Sequence, residues 1–241
     1  MAALQSPDEA ADVASPLDVP QEGVYEALFR EIVTGKLAGG ERLMIDDIAE
    51  RFGVSKIPVR EALKALEAKG WVESAPRRGT YVRALSLSEL HELFELRMII
   101  EPETTALAAH RRRTVHLQQL AALIEEGEAA IKINDFVTSS RVNLEFHSLI
   151  AEAAGNRLAY DVIHDLELRL ARYFFESEWN ERSETAHEHL AIYEAIRDQR
   201  AGDAATITRN HLRHTEAMAA RSMKDGKSNL KINSPARPLG K

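Results

Sequence analysis

The 241-residue chain contains no cysteine, which excludes disulfides, cysteine-ligated zinc and thiol nucleophiles. Aromatic residues are sparse at 6%, and no apolar run approaches the roughly 18 residues that a membrane-spanning helix needs. The N-terminus lacks the basic-then-apolar order of a secretory signal and carries Asp8, Glu9 and Asp12 instead. No His-Glu-x-x-His spacing and no repeat of fixed period occurs. A cytoplasmic protein without a membrane partner is the expectation. What remains is ordinary for a globular chain, 44% apolar and 29% charged, with length for one large domain or two smaller ones.

The net charge of −7 is unevenly spread. Between Val54 and Ala84 seven cations face three anions, whereas Leu85 to Ser222 holds 15 basic and 23 acidic residues. A basic patch on an acidic chain points to a local polyanion partner.

Residues 1–19 are rich in Ala, Asp and Pro without apolar period and read as a disordered arm, as does the basic tail 223–241. Within 20–84, Val24, Leu28 and Ile32 space a first helix. "MIDDIAERFGV" gives a second, closed by Gly53. Ser55 can cap a third, with Pro58 in its first turn and Val59, Leu63 and Leu66 as its buried stripe. "WVES" and "TYVRAL" then flank "APRRG" as a small hairpin with a basic tip. Three helices followed by such a hairpin is the order of a winged helix-turn-helix. From 85 to 222 long amphipathic patterns predict an antiparallel bundle of six or seven helices, with Pro102 breaking or kinking one of them. The fold class is mainly α.

A helix-turn-helix points the N-terminal residues of its second helix at the major groove of duplex DNA. Ser55, Lys56 and Arg60 occupy that position. Lys56 and Arg60, four residues apart, project away from the buried stripe. Arg60 suits guanine, and Ser55 and Lys56 suit phosphates. The tip, Arg77-Arg78-Gly79, would follow the flanking backbone. A merely solvated basic face is the alternative for any one of these cations.

The stretch 24–82, above all "GVSKIPVREAL", resembles the N-terminal domain of GntR-family transcriptional regulators. "LRMIIEPETTALAA", "NLEFHSLIAEAAGN" and "EHLAIYEAIRDQRAGDA" resemble the FCD sensor domain of the FadR-type subgroup. Gly39 stands where proline is usual, and Lys56 and Ile57 where arginine and threonine are commoner. The resemblance implies a homodimer on a pseudo-palindromic operator, responding to a ligand, most often as a repressor.

His147 follows Asn143 by four residues, His189 follows Thr185 by four, and His211 sits on the last helix. Imidazoles converging from three helices make a candidate site for a divalent metal ion such as zinc, nickel or manganese. The resemblance implies an aspartate and three histidines as ligands, and Asn143 stands at the aspartate position. A hydrogen-bonded polar core without metal is the competing expectation. Histidines 91, 110, 116, 164 and 214 show no partner in sequence and read as surface positions. Arg97 lies in the apolar stripe "LFELRMII", where an unpaired cation is costly. An ion pair with Glu101 explains it. The resemblance offers a second role, holding a small carboxylate effector in a cavity to which Tyr173, Phe175 and Thr185 are further candidates. The alternative function is a metal-dependent enzyme with an appended DNA-binding domain. A purely architectural DNA-binding protein leaves the histidines unexplained.

Overall fold

The structure is a computed structural model that describes residues 23–174 and 179–224. The expected arm and most of the expected tail, with Phe175, lie outside these residues. Among the described residues the chain forms nine helices and one small sheet.

The first unit runs α1 (Val24–Val33), β1 (Arg42–Leu43), α2 (Ile45–Phe52), α3 (Lys56–Ala68), β2 (Val72–Ala75) and β3 (Gly79–Val82). Leu28, Ile32, Val59 and Leu66 bury completely against Trp71, Val72 and Val82, so both helical stripes and the hairpin share one core. Gly53 ends α2 in the left-handed conformation at φ 63°, where a Cβ would be strained. Ser55 occupies the N-cap of α3, but its side chain makes no capping hydrogen bond. The sheet order is β1-β3-β2, with Arg42 opposite Tyr81 and Ser74 opposite Thr80. Strand β1 was not foreseen, because two residues cannot display an alternating pattern.

The second unit comprises α4 (Leu87–Arg111), α5 (Thr114–Lys132), α6 (Phe136–Ala153), α7 (Arg157–Phe174), α8 (Trp179–Arg197) and α9 (Ala201–Lys224). Ser86 caps α4 by accepting from the Glu89 amide at 3.0 Å. Pro102, expected to break or kink this stretch, lies inside α4 without ending it. Proline forfeits about 3 kcal/mol inside a helix, and the burial of α4 against α6, α7, α8 and α9 outweighs that loss. At the other end α9 extends past the expected limit at 222, because Met223 still has core to enter.

Helix α7 also touches the first unit. Leu168 packs on its core. Arg169 donates to the Lys69 carbonyl at 2.8 Å and lies over the Trp71 ring. Arg172 donates to the Arg83 carbonyl at 2.6 Å. One helix of the bundle is thereby tied to the end of α3 and to the residue after the hairpin.

Candidate functional site

At the start of α3, Ser55, Lys56 and Arg60 are exposed, as expected. Lys56 reaches Asp46 of α2 at 2.8 Å, an exposed pair that solvent weakens. Ile57 beside it is 64% exposed, an apolar side chain with no fold partner to account for it. At the hairpin tip Arg77 and Arg78 are exposed, and the Tyr81 hydroxyl donates to the Arg78 carbonyl at 2.9 Å. A Cβ on Gly79 would lie 3.0 Å from Arg42 Nε, so the glycine lets a third arginine approach the tip. Arg42 escaped the sequence reading because only the pairing of β1 with β3 brings it there.

The bundle interior is polar where five helices meet. Arg97 and Glu101 project from α4, Asn143 and His147 from α6, Glu167 from α7, Glu188 and His189 from α8, and His211 from α9. Arg97 is 1% exposed; its Nε donates to Glu101 Oε1, and its Nη2 to Glu101 Oε2 at 3.2 Å. The same guanidinium is ion-paired with Glu167 of α7. The pairing with Glu101 that the sequence offered is present, and Glu167 joins it on Nη2 of the same guanidinium, which also borders a cavity. Asn143 Nδ2 donates to the other Glu167 oxygen at 3.2 Å.

Charges in this core set one another. Burial opposes Arg97 ionisation, but Glu101 and Glu167 outweigh it and hold its pKa above the ordinary value. Burial also opposes Glu101 ionisation, and Arg97 and His147 more than compensate, so this carboxyl lies well below the usual range. Glu167 goes the other way: burial pushes it up in spite of Arg97.

Carboxylates grip two of the three histidines from behind. His147 Nδ1 lies 3.1 Å from Glu101 Oε2, and His211 Nδ1 lies 2.8 Å from Glu188 Oε2. A carboxylate accepts, so the proton of each neutral ring belongs on Nδ1 and the Nε2 lone pairs point inward. Those two Nε2 atoms face each other at 3.3 Å. Two nitrogens ~2.0–2.1 Å from one tetrahedral ion would stand about 3.3–3.4 Å apart. His189 stacks on Phe146, and its buried Nε2 has no hydrogen-bond partner among the described residues. One nitrogen from each ring lies within 4.8 Å of the others. Burial, then the neighbouring rings, push His189 well below its ordinary value; burial, His147 and Arg97 do the same to His211. Three converging ring nitrogens, two of them on imidazoles that burial holds neutral, are what a divalent ion requires, so these residues fit one.

A cavity of ≈ 70 Å³ adjoins the cluster, bordered by Arg97, Asn143, Glu167, Thr185, His189 and His211 among others. Thr185 is thus placed as expected. Tyr173 is not: its hydroxyl turns to Glu89 Oε2 at 3.2 Å and the Ser86 carbonyl at 3.3 Å, at the start of α4. The neighbouring Phe174 borders the cavity in its place. Four of the histidines read as partnerless are engaged: His91 meets Glu216 at 2.7 Å and His164 meets Ser148 at 3.1 Å. His116 is buried and accepts from the Arg113 amide at 3.2 Å, while His214 shares Glu188 with His211 at 2.9 Å. Glu101 was foreseen only as the partner of Arg97; Glu167 and Glu188 were not foreseen, because acidic residues abound in 85–222 and only the packing selects these two.

The sequence matches the description "Bacterial regulatory proteins, gntR family" over residues 20–82 and "FCD domain" over 92–214. Among similar proteins, the HTH-type transcriptional repressor RspR of Escherichia coli strain K12 is 28% identical over 192 residues, 79% of this chain and 84% of that protein. The HTH-type transcriptional regulator LutR of Bacillus subtilis strain 168 is 28% identical over 209 residues, 77% of this chain and 94% of that one. In fold, the chain is similar to E. coli McbR/YncC, with a TM-score of 0.73 at 22% identity over 83% of this chain and 96% of that one. The alternative of an enzyme with an appended DNA-binding domain finds no support in these relatives. This chain belongs to the gntR family of bacterial regulatory proteins, carries an FCD domain, and is a DNA-binding transcriptional regulator rather than an enzyme.

Proposed function

We propose that the regulator holds one divalent metal ion (zinc, nickel or manganese) on His147, His189 and His211 and answers to a small carboxylate-bearing effector bound beside it. The observation that carries this reading is the pair of Nε2 atoms facing each other at 3.3 Å, each ring presenting its Nδ1 to a carboxylate behind it. With both protons on Nδ1 the two facing lone pairs repel, and either a metal ion or a proton between them relieves that. The ion supplies Lewis acidity, an open position for an oxygen ligand. Asn143 gives its Nδ2 to Glu167 and keeps its Oδ1 as an uncharged fourth ligand, weaker than the aspartate it replaces. Metal analysis of protein purified without chelator, with thermal denaturation before and after EDTA, tests the reading; no metal and no thermal response to zinc, nickel or manganese would leave a polar core.

On the DNA side the proposal assigns base reading to Arg60, with Ile57 against a thymine methyl, and backbone contacts to Ser55, Lys56, Arg77, Arg78 and Gly79. Residues 20–84 form the DNA-binding unit and 85–222 the sensing one. A homodimer is favoured because one winged module buries too little DNA surface for tight specific binding. Exposed Leu96 and Ile99 on α4, and Leu158 and Val162 on the adjacent α7, offer a second copy an apolar face. Effector occupancy would reach the DNA through α7, which carries Glu167 at the cavity and Arg169 and Arg172 at the first unit. The name of RspR supports repression as the output. A DNA-binding role, with no described helix long and apolar enough to cross a membrane, supports a cytoplasmic location.

A further inference from the structure

The cavity beside the histidines changes character along its length. Arg97, Asn143, Glu167, His189 and His211 gather its charged, amide and imidazole groups at one end. Thr185 precedes His189 by four residues and Thr215 follows His211 by four, so these two hydroxyls lie one turn from the cluster. The Thr215 hydroxyl donates to the His211 carbonyl at 2.9 Å, and Asn143 gives its Nδ2 to Glu167. Beyond them the wall turns apolar. On α7 it continues from Glu167 to Ala171 and Phe174, and on α9 from Thr215 to Met218. Helix α5 covers the side with Leu123, Ile124, Gly127 and Ile131, a row along one helix face without a polar side chain. Ser139 and Ser140, one turn before Asn143 on α6, bring hydroxyls to this end, and Ser140 Oγ has no hydrogen-bond partner among the described residues. A row of hydroxyls on a ligand would lose its water against Leu123, Ile131 and Met218 with little to replace it. A methylene gains from the same contact. Size narrows the class further. A cavity of about 150 Å³ holds a benzene ring, so one of ≈ 70 Å³ holds about three carbons.

We propose that the effector is a short carboxylic acid with a hydrocarbon tail of about three carbons, its carboxylate directed to the His147–His189–His211 cluster and its tail laid against Leu123, Gly127 and Ile131 of α5. That row then selects an apolar acid over one of the same length hydroxylated at its far end. The carboxylate half rests on the metal reading above; the tail half rests on the wall alone.

The test is calorimetric titration and thermal shift on the full zinc-loaded chain. Acetate, propionate, butyrate, valerate and hexanoate are compared with 2-hydroxybutyrate and 4-hydroxybutyrate. Affinity is expected to rise about fourfold per methylene as far as butyrate or valerate and then to level off. A hydroxyl at the second carbon sits among the polar groups and is expected to be tolerated. At the fourth carbon it is expected to cost about tenfold or more; Ser140 Oγ makes this the strictest control. Ile131→Asn is expected to flatten the length dependence while zinc stoichiometry and acetate binding stay the same. Binding of 4-hydroxybutyrate as tight as that of butyrate overturns the proposal, as does no gain from acetate to butyrate or no binding across the series. An unchanged length dependence in Ile131→Asn puts the tail elsewhere and overturns it too. If zinc does not bind, yet butyrate still outbinds 4-hydroxybutyrate and Ile131→Asn removes the difference, the metal reading and the carboxylate half fail and the tail half stands. If Ile131→Asn does not fold, Leu123→Asn takes its place, and the series on the unmodified chain decides.

Discussion

The Arg172 guanidinium donates to the Arg83 carbonyl at 2.6 Å, across the junction between the bundle and the DNA-binding unit. Arg172 is 7% exposed, so this carbonyl has a buried charged donor in place of water. Together with Arg169 and the Lys69 carbonyl, the contact makes α7 a strut against the end of α3. Replacing both arginines by alanine removes the strut but leaves each core intact. Calorimetry of Arg169→Ala/Arg172→Ala is expected to resolve a separate, lower-temperature transition for the winged unit. A single unchanged transition would show that the two units are coupled elsewhere.

Arg60→Ala is expected to cost about 1–3 kcal/mol of operator binding and to relax specificity at one base pair. Arg42→Ala and Arg78→Ala at the wing are expected to weaken binding to all sequences alike and to lower the salt slope by about one each. Fluorescence anisotropy with specific and scrambled duplexes over a range of salt separates the two patterns. Equal losses on both duplexes for Arg60→Ala would move the base-reading role elsewhere on α3.

For the histidine cluster, His189→Ala is expected to abolish metal-dependent thermal stabilisation, since the ion binds only the folded chain. Glu188→Gln keeps all three ligands but loses the carboxylate that orients His211. Its metal affinity is expected to fall about 10–100-fold with the fold retained. Competition against a chelator gives the affinity, and the visible spectrum of the cobalt(II) form reports the geometry. An unaltered affinity in Glu188→Gln would mean that the His211 ring is held by packing alone.

Asn143→Asp restores a negative charge at the position the family resemblance assigns to a metal ligand. In this chain the same change sets a carboxylate against Glu167, which now accepts from Asn143 at 3.2 Å. The metal-free variant is therefore expected to melt below the parent, and zinc to close or reverse the gap. Melting curves in EDTA and in zinc decide it; equal melting in EDTA would show that the Glu167 contact carries no energy.

Removing Arg97 strands two buried carboxylates. Arg97→Ala is expected to cost about 3–5 kcal/mol. Adding Glu167→Gln to that background is expected to restore part of the loss, because one of the stranded charges disappears. Urea denaturation of the two single variants and the double variant closes the cycle. Strict additivity would argue that Arg97 and Glu167 are not energetically joined.

The winged unit, the bundle and the three histidines were legible in the chain, because each rests on local signals. Leu28 and Ile32, Val59 and Leu66, Gly53 and the Arg77-Arg78-Gly79 tip all declare themselves within a few residues of chain. Helical period likewise set His147 one turn from Asn143. Which charges meet from one helix to another depended on packing. Glu167 lies 70 residues after Arg97 in the sequence, and nothing local distinguishes it from its acidic neighbours. Packing of α7 on α4 makes it a second partner of Arg97, beside the Glu101 that lies one turn away in the sequence. Packing also kept α4 whole across Pro102 and drew Tyr173 away from the cavity to the start of α4. Propensity and periodicity act over a few residues, whereas burial and ion pairing act between elements, so the site's scaffold was written in the chain and its charge balance only in the fold.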